Sequence, residues 1–234
     1  MAEGPCQHSA NANDNTYKIM NNEIKELLFE RDVDIVRFVD ISGLPVEQTQ
    51  GFANAIAFCK RLPKEFIIDV RDGEQNGHEF AEMEHETDAL ADWLAEYLRG
   101  KGYRVYSQSE ESNEGSGNYD KSTMSSTLPH KTIAGLAGIG YIGKNNLLIT
   151  EEFGCAISMC TVLTDAPVES DNQSIIPSGC GDCEICKEVC PGGAITGNGW
   201  SQGAGRDEVV DVYRCNCALK CIVNCPKTME YIND

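Results

Sequence analysis

The sequence predicts an α+β fold ending in a small cysteine-dense segment, and three observations predict it. Helical and extended patterns alternate from about residue 16 to residue 170. Eight of the twelve cysteines then fall between Cys180 and Cys225. At 234 residues the chain is long enough for one sizeable domain and a small one, the small one relying on metal–thiolate bonds in place of a large core. The expected organisation is a polar, disordered tail over 1–15, an α+β domain holding a cofactor or substrate over 16–170, and a ferredoxin-like domain over 171–234.

Thr16 to Arg31 spaces Ile19, Ile24, Leu27 and Leu28 as a helix, with charged residues on its outer face. Cys6 and His8 before it read as incidental. Asp34 to Ile41 reads as a strand, Ser42 to Pro45 as a turn, Gln50 to Arg61 as a short helix stopped by Pro63, and Glu65 to Val70 as a second, buried strand. Leu90, Trp93, Leu94, Tyr97 and Leu98 mark a long amphipathic helix over 78–99 that Gly100 and Gly102 end. A strand restarts at Tyr103 to Tyr106, and the polar stretch Ser107 to Thr127 reads as a loop, long enough to be disordered or functional. A helix over His130 to Ala137, strands near Asn146 to Thr150 and Ala156 to Leu163, and a linker from Pro167 to Gly179 complete the first domain.

Cys180, Cys183, Cys186 and Cys190-Pro191 form the run C-x2-C-x2-C-x3-C-P, the bacterial ferredoxin spacing for iron–sulfur clusters. A second run, Cys215, Cys217, Cys221 and Cys225-Pro226, departs from it: Ala218 holds the expected middle position and Cys217 stands one residue early. In two-cluster ferredoxins the last cysteine of each motif reaches the other cluster. That rule groups Cys180, Cys183, Cys186 and Cys225 around one 4Fe-4S cluster, and Cys190, Cys215, Cys217 and Cys221 around a second. Without Cys217 the second site has three thiolates and suits a 3Fe-4S cluster. Zinc prefers separated C-x2-C pairs, and disulfides need an oxidising compartment, for which the N-terminal sequence shows no secretory signal. No apolar run reaches the length of a membrane span, so the expected location is cytoplasmic.

Formal net charge is −18, and between Asp72 and Asn118 twelve carboxylates face three basic residues. Binding a polyanion depends on Lys and Arg displacing counterions, so nucleic acid is not expected as a partner. The acidic region reads as a solvated face or as a docking surface for a redox partner. Cys59, Cys155 and Cys160 read as small core hydrophobes, and Tyr119 as a candidate pocket hydroxyl.

Gly138-Ile-Gly140-Tyr-Ile-Gly143-Lys144 satisfies G-x-G-x-x-G and nearly the phosphate-cradling loop, but Asn145 stands where a hydroxyl is needed and the glycines follow a helix instead of a strand. Read whole, HKTIAGLAGIGYIGKNNLLITEEFG from His130, TVLTDAP to Pro167 and then CGDCEICKEVCPGGAI resemble the epoxyqueuosine reductase family and its shorter relatives with a double 4Fe-4S domain. That resemblance, which extends to the reductive dehalogenases, implies a nitroreductase-like or cobalamin-reductase-like α/β sandwich that binds a corrinoid, joined to a two-cluster ferredoxin-like domain. It implies Gly138, Gly140, Gly143 and Lys144 as cofactor-binding residues. The family's acidic proton donor, just before the glycine region, aligns with Met124, so Asp120, His130 and Tyr141 are the catalytic candidates. The chain also stops soon after the cysteines, which together with its charge sets it apart from the tRNA-modifying members. The expected function is an iron–sulfur oxidoreductase passing single electrons from a redox partner protein or low-potential reductant to a corrinoid or small-molecule acceptor. The alternatives are a non-catalytic ferredoxin-like electron-delivery module and epoxyqueuosine reduction proper.

Overall fold

The computed structural model describes residues 9–73, 77–201 and 203–234. Cys6 and His8 lie outside the described residues. Helix α1 (Ser9–Phe29) begins ahead of Thr16, so the last part of the expected tail is helical. Its apolar stripe buries Met20, Ile24 and Leu28, spaced one turn apart. Strand β1 (Ile35–Asp40) follows, then the single turn α2 (Val46–Thr49) and strand β2 (Asn54–Arg61).

Two assignments along this stretch correct the sequence reading. Residues 54–61, expected as helix, are the strand β2, and residues 65–70, expected as strand, lie within helix α3 (Lys64–Asp72). In β2 the residues Ala55 to Cys59 are all buried, because a strand with partners on both sides and cover on both faces has no polar face to reveal its period. In α3 the apolar run is one stripe: Phe66, Ile67 and Val70 are buried while Asp69 is exposed. Pro63 stands at the N-cap of α3.

Helix α4 (Gly77–Gly100) leads to strand β3 (Val105–Ser107). The stretch expected as one loop from Ser107 to Thr127 holds helix α5 (Glu110–Ser116), capped by the Ser109 hydroxyl, and a hairpin of β4 (Tyr119–Asp120) and β5 (Ser125–Ser126). Its polar composition hides this because the order comes from side-chain caps and turns. Helix α6 (His130–Leu136), the hairpin β6 (Gly140–Ile142) and β7 (Leu148–Thr150), and strand β8 (Ile157–Thr164) complete the larger part.

Strands β1, β2, β8 and β3 form, in that order, an antiparallel sheet. One face packs Val36, Phe38, Ile56, Phe58 and Val162 against Ile24 and Leu28 of α1 and Leu94 and Leu98 of α4. The other packs Val39, Ala57 and Leu163 against Ile133 of α6 and the β6–β7 hairpin. The segment after β8 runs along β1: Asp171 accepts from the Phe38 amide and donates its own amide to the Phe38 carbonyl. That covers an edge otherwise open to pairing.

The cysteine-rich segment carries only short helices: α7 (Ile185–Glu188), α8 (Arg206–Val209), α9 (Lys220–Val223) and α10 (Pro226–Asn233). It docks through a third apolar cluster that joins Leu62, Phe66, Ile67 and Val70 to Ile222, Val223, Cys225 and Tyr231. The Tyr231 hydroxyl donates to the Leu62 carbonyl, 3.0 Å, and Lys220 donates to the Val70 carbonyl, 2.5 Å. The misread helix α3 is thus the platform for the cysteine segment. Among the described residues no helix is long and apolar enough to cross a membrane.

Candidate functional site

Cys180, Cys183, Cys186 and Cys225 line one cavity of about 100 Å³, together with Tyr141, Lys144, Asn145 and Gly179. Three come from the first motif and the fourth from 39 residues beyond Cys186, at the N-cap of α10. Thiol donors alone, drawn from this grouping and spread around a cavity, fit a thiolate-ligated iron–sulfur cluster. Among the described residues no three His, Cys, Asp or Glu side chains gather closely enough for a single metal ion. The N-cap position suits a thiolate: amides of Lys227 and Thr228 and the Thr228 hydroxyl point at Cys225. Its thiol is held down to about 6, first by a hydrogen bond from Cys155 and then by those groups.

The sequence reading assigned Cys155 to packing. It is fully buried, but it stands against the fourth thiol, 3.4 Å from the Thr228 hydroxyl and 3.5 Å from the Asn145 amide nitrogen. The neighbouring Cys225 first, and burial second, push it well up, so it remains a thiol. No spacing rule marks it, since it lies 25 residues before the first motif. Asn145 clamps the same region, donating to the Cys221 carbonyl as well, 3.4 Å.

The second motif surrounds the other side of α9. Cys186, Cys190 and Cys221 pack on Ala194, Ile195 and Val210, and the Cys190 sulfur accepts from the Ala194 amide, 3.3 Å. Cys215 and Cys217 are exposed, and desolvation first, then the neighbouring Cys215, pushes the Cys217 thiol up. Cys217 and Leu219 both take left-handed backbone, φ 52° and 56°, so the chain twists twice around Ala218 where the spacing departs from the first motif.

The glycine segment lies beside the cysteine cavity. Lys144 and Tyr141 line that cavity, and the Tyr141 ring rests on Gly179, whose Cβ, if present, would sit 3.0 Å from it. The approach that the glycines permit is used by the chain itself. A Cβ on Gly138 would meet Gln173, one on Gly140 the Ile149 carbonyl at 2.2 Å, and one on Gly143 the side chains of Ile149 and Asn145. Desolvation, and then the neighbouring cysteines, push the Tyr141 hydroxyl up to about 12.

Beyond Cys155 and Ile222, on the side away from the cysteine cavity, a hollow of about 360 Å³ is bounded by Phe80, Ser126, His130, Lys131, Asn146 and Met159. It adjoins a polar cavity of about 270 Å³ lined by Asp88, Gln108, Glu110 and Tyr119, with Glu84, Ser126, His130, Ser158 and Met159 common to both. His130 is fixed by a directional chain. The Thr161 hydroxyl donates to Gln108 Oε1, 2.5 Å, so it accepts from His130 Nδ1, 2.7 Å, and Gln108 Nε2 donates to the Leu128 carbonyl, 2.9 Å. That assigns the proton to Nδ1 and leaves Nε2 as an acceptor. Burial lowers the imidazole from its ordinary value and keeps it neutral.

Lys131 donates to the Asn146 carbonyl, 3.0 Å, and burial followed by Arg206 brings its ammonium down to about 8. The sequence offers it as the second residue of a His-Lys pair at a helix start, able to donate to a cofactor or substrate. Asp120 lies elsewhere. Its exposed carboxylate accepts from the amide and hydroxyl of Ser122, 2.8 and 2.6 Å, closing the β4–β5 turn, and these bonds hold it below the usual range. Met124 is at the tip of that hairpin, which is pinned to the cysteine segment by Arg206 donating to the Met124 carbonyl and Tyr213 to the Ser122 carbonyl, both 2.8 Å.

Comparison with known proteins finds the resemblance that the sequence carries. No family model matches the chain. It is 33% identical over 82 residues to the epoxyqueuosine reductase of Lactococcus garvieae, 35% of this chain and 23% of that protein. It is 40% identical over 72 residues to that of Listeria monocytogenes, 31% of this chain and 18% of that protein. These matches span about a fifth of the curated relatives' length. In fold the chain is similar to an epoxyqueuosine reductase solved with a tRNA-Tyr epoxyqueuosine-modified stem loop, at TM-score 0.56 and 17% identity, covering 91% of this chain and 66% of that one. It is also similar to a reductive dehalogenase whose structure suggests a mechanism for B12-dependent dehalogenation, at TM-score 0.57 and 19% identity, covering 73% and 25%.

Proposed function

We propose that this chain, which resembles epoxyqueuosine reductases in sequence and shares their fold, is a cytoplasmic iron–sulfur reductase of that type. In this reading the 171–234 segment is a ferredoxin-like domain with two 4Fe-4S clusters, and residues 16–170 hold the electron acceptor. The observation that carries the proposal is the convergence of Cys180, Cys183, Cys186 and Cys225 on one cavity, while Cys155 lines the hollow that His130 and Lys131 also line. The clusters supply single low-potential electrons, at potentials set by burial and by hydrogen bonds to sulfur.

The chain's own residues do the remainder. Cys155, fully buried beside Cys225, holds the Cys225 thiol down. Lys144, half-buried at the same cavity, places a positive charge beside the thiolates. His130, Lys131 and Asn146 bound the space that would hold the corrinoid the resemblance implies, and that group would supply one-electron chemistry at its metal. Reduction of a carbon–oxygen bond needs a proton, and Met124 offers none. Lys131, with its ammonium near 8, is the group able to give one at neutral pH, and neutral His130 with a free Nε2 accepts a hydrogen bond from substrate.

The relatives' name favours reduction of epoxyqueuosine over electron delivery to another protein. Anaerobic protein supplied with reductant, cobalamin and epoxyqueuosine-containing tRNA should convert the modified base. No conversion, with intact clusters and a tight complex with another protein, would support the electron-delivery reading instead.

A further inference from the structure

Behind the cysteine cavity, the connection from β7 to β8 is pressed against the first turn of α10, whose N-cap is Cys225. A Cβ on Gly154 would stand 2.3 Å from the Thr228 amide nitrogen, and the Cys155 amide donates to the Thr228 hydroxyl, 3.3 Å. A disulfide between two elements requires a close backbone approach of this kind. The Thr228 hydroxyl also ties the two sulfurs together: it lies 3.4 Å from Cys155 Sγ and bonds to Cys225 as well. Both cysteines belong to the same buried apolar cluster.

The two thiols differ in access. Cys225 lines the cysteine cavity, whereas Cys155 lies behind it and is only 2% exposed. Among the described residues no side-chain hydrogen bond joins Cys180, Cys183 or Cys186 to α10, so Cys155 is the thiol that the fold itself fixes beside Cys225. A small oxidant entering the cavity meets Cys225 first, with a second thiol already in place behind it.

We propose that Cys155 is a resolving thiol for Cys225, and that the pair closes to a disulfide when a peroxide strips iron from the cavity. Loss of iron frees the Cys225 sulfur. Peroxide transfers one oxygen to it, giving the sulfenic acid and one water; the Cys155 sulfur then attacks that sulfur, forming the S–S bond and releasing the oxygen as a second water. The two thiols together lose two hydrogens, and one hydrogen peroxide becomes two waters. The disulfide stops Cys225 short of the irreversible sulfinic acid and keeps the site empty until a thiol reductant reopens it. The proposal goes beyond the reductase reading and rests on its assignment of Cys225 as a cluster ligand.

The test treats anaerobically purified holoprotein with increasing hydrogen peroxide, blocks the remaining thiols with N-ethylmaleimide under denaturing conditions, and maps the unreduced digest by mass spectrometry. A peptide pair joined through Cys155 and Cys225 should grow in step with iron release, and dithiothreitol with added iron and sulfide should restore the cluster absorbance. In Cys155→Ala and Cys155→Ser, Cys225 should accumulate as sulfinic acid and the recovered absorbance should fall several-fold. Circular dichroism checks that the variants are folded, and the wild-type map stands without them. Cys225 joined instead to Cys180, Cys183 or Cys186, Cys155 alkylated after the iron has gone, or equal recovery in wild type and both variants would overturn the proposal. Protein containing no iron as purified would remove the cluster assignment alone, because the same map reads the cysteine pair with or without iron.

Discussion

A thiol that no spacing rule selects lies behind the cysteine cavity, buried against Asn145 and Thr228. Cys155 holds the Cys225 thiol down, so removing its polar S–H leaves negative charge on that sulfur, and hence the reduced cluster, less well stabilised. Cys155→Ala is therefore expected to lower the midpoint potential of the cluster nearest α10 by on the order of 60 mV, the one-electron equivalent of about 1.4 kcal/mol. Cys155→Ser should give a smaller shift. An EPR-monitored redox titration reads both. Lys131 acts on protons: its acid form predominates below about 8, so a rate limited by its proton falls about tenfold per pH unit above that value. Lys131→Met should lose that limb and at least tenfold in rate, whereas Asp120→Asn, on an exposed turn, should change the rate less than twofold. The cysteine grouping was readable from spacing because metal ligation imposes a local sequence rule. Cys155 and Lys131 were not, because their roles come from burial and from contacts made far along the chain.

At the scale of elements, the site depends on a short connection between the sheet and the cysteine segment. Gly154 has φ 58°, and a Cβ there would stand 2.3 Å from the Thr228 amide nitrogen, one turn into α10. Gly154→Ala combines left-handed strain with a backbone clash, and should cost about 2–4 kcal/mol and loosen the loop that presents Cys155 to Cys225. Thermal unfolding of the variant, together with its retained iron, measures both effects. The long helix α4 and the outer strands were legible from period and length. Strand β2 and helix α3 exchanged identities because a central strand and a short docked helix both present dense apolar runs, which periodicity alone does not separate. The α5 and β4–β5 region looked like loop because Ser, Asn and Asp side chains there make the caps and turns that organise it.

Across the whole molecule, the α+β class was legible from the alternation of patterns, and the sheet order was not, since β8 inserts between β2 and β3 from far along the chain. The acidic stretch read as a solvated face is in part the rim of a cavity, through Glu84, Asp88 and Glu110. In the proposed reductase the two cysteine motifs hold two clusters beside an acceptor space. Iron and acid-labile sulfide in anaerobically purified protein, with EPR of the dithionite-reduced sample, test it most directly. The account predicts about eight iron and eight sulfide per chain, as two cubane clusters require, with magnetically interacting signals. One zinc, or a single cluster unaffected by Cys190→Ser, would contradict it.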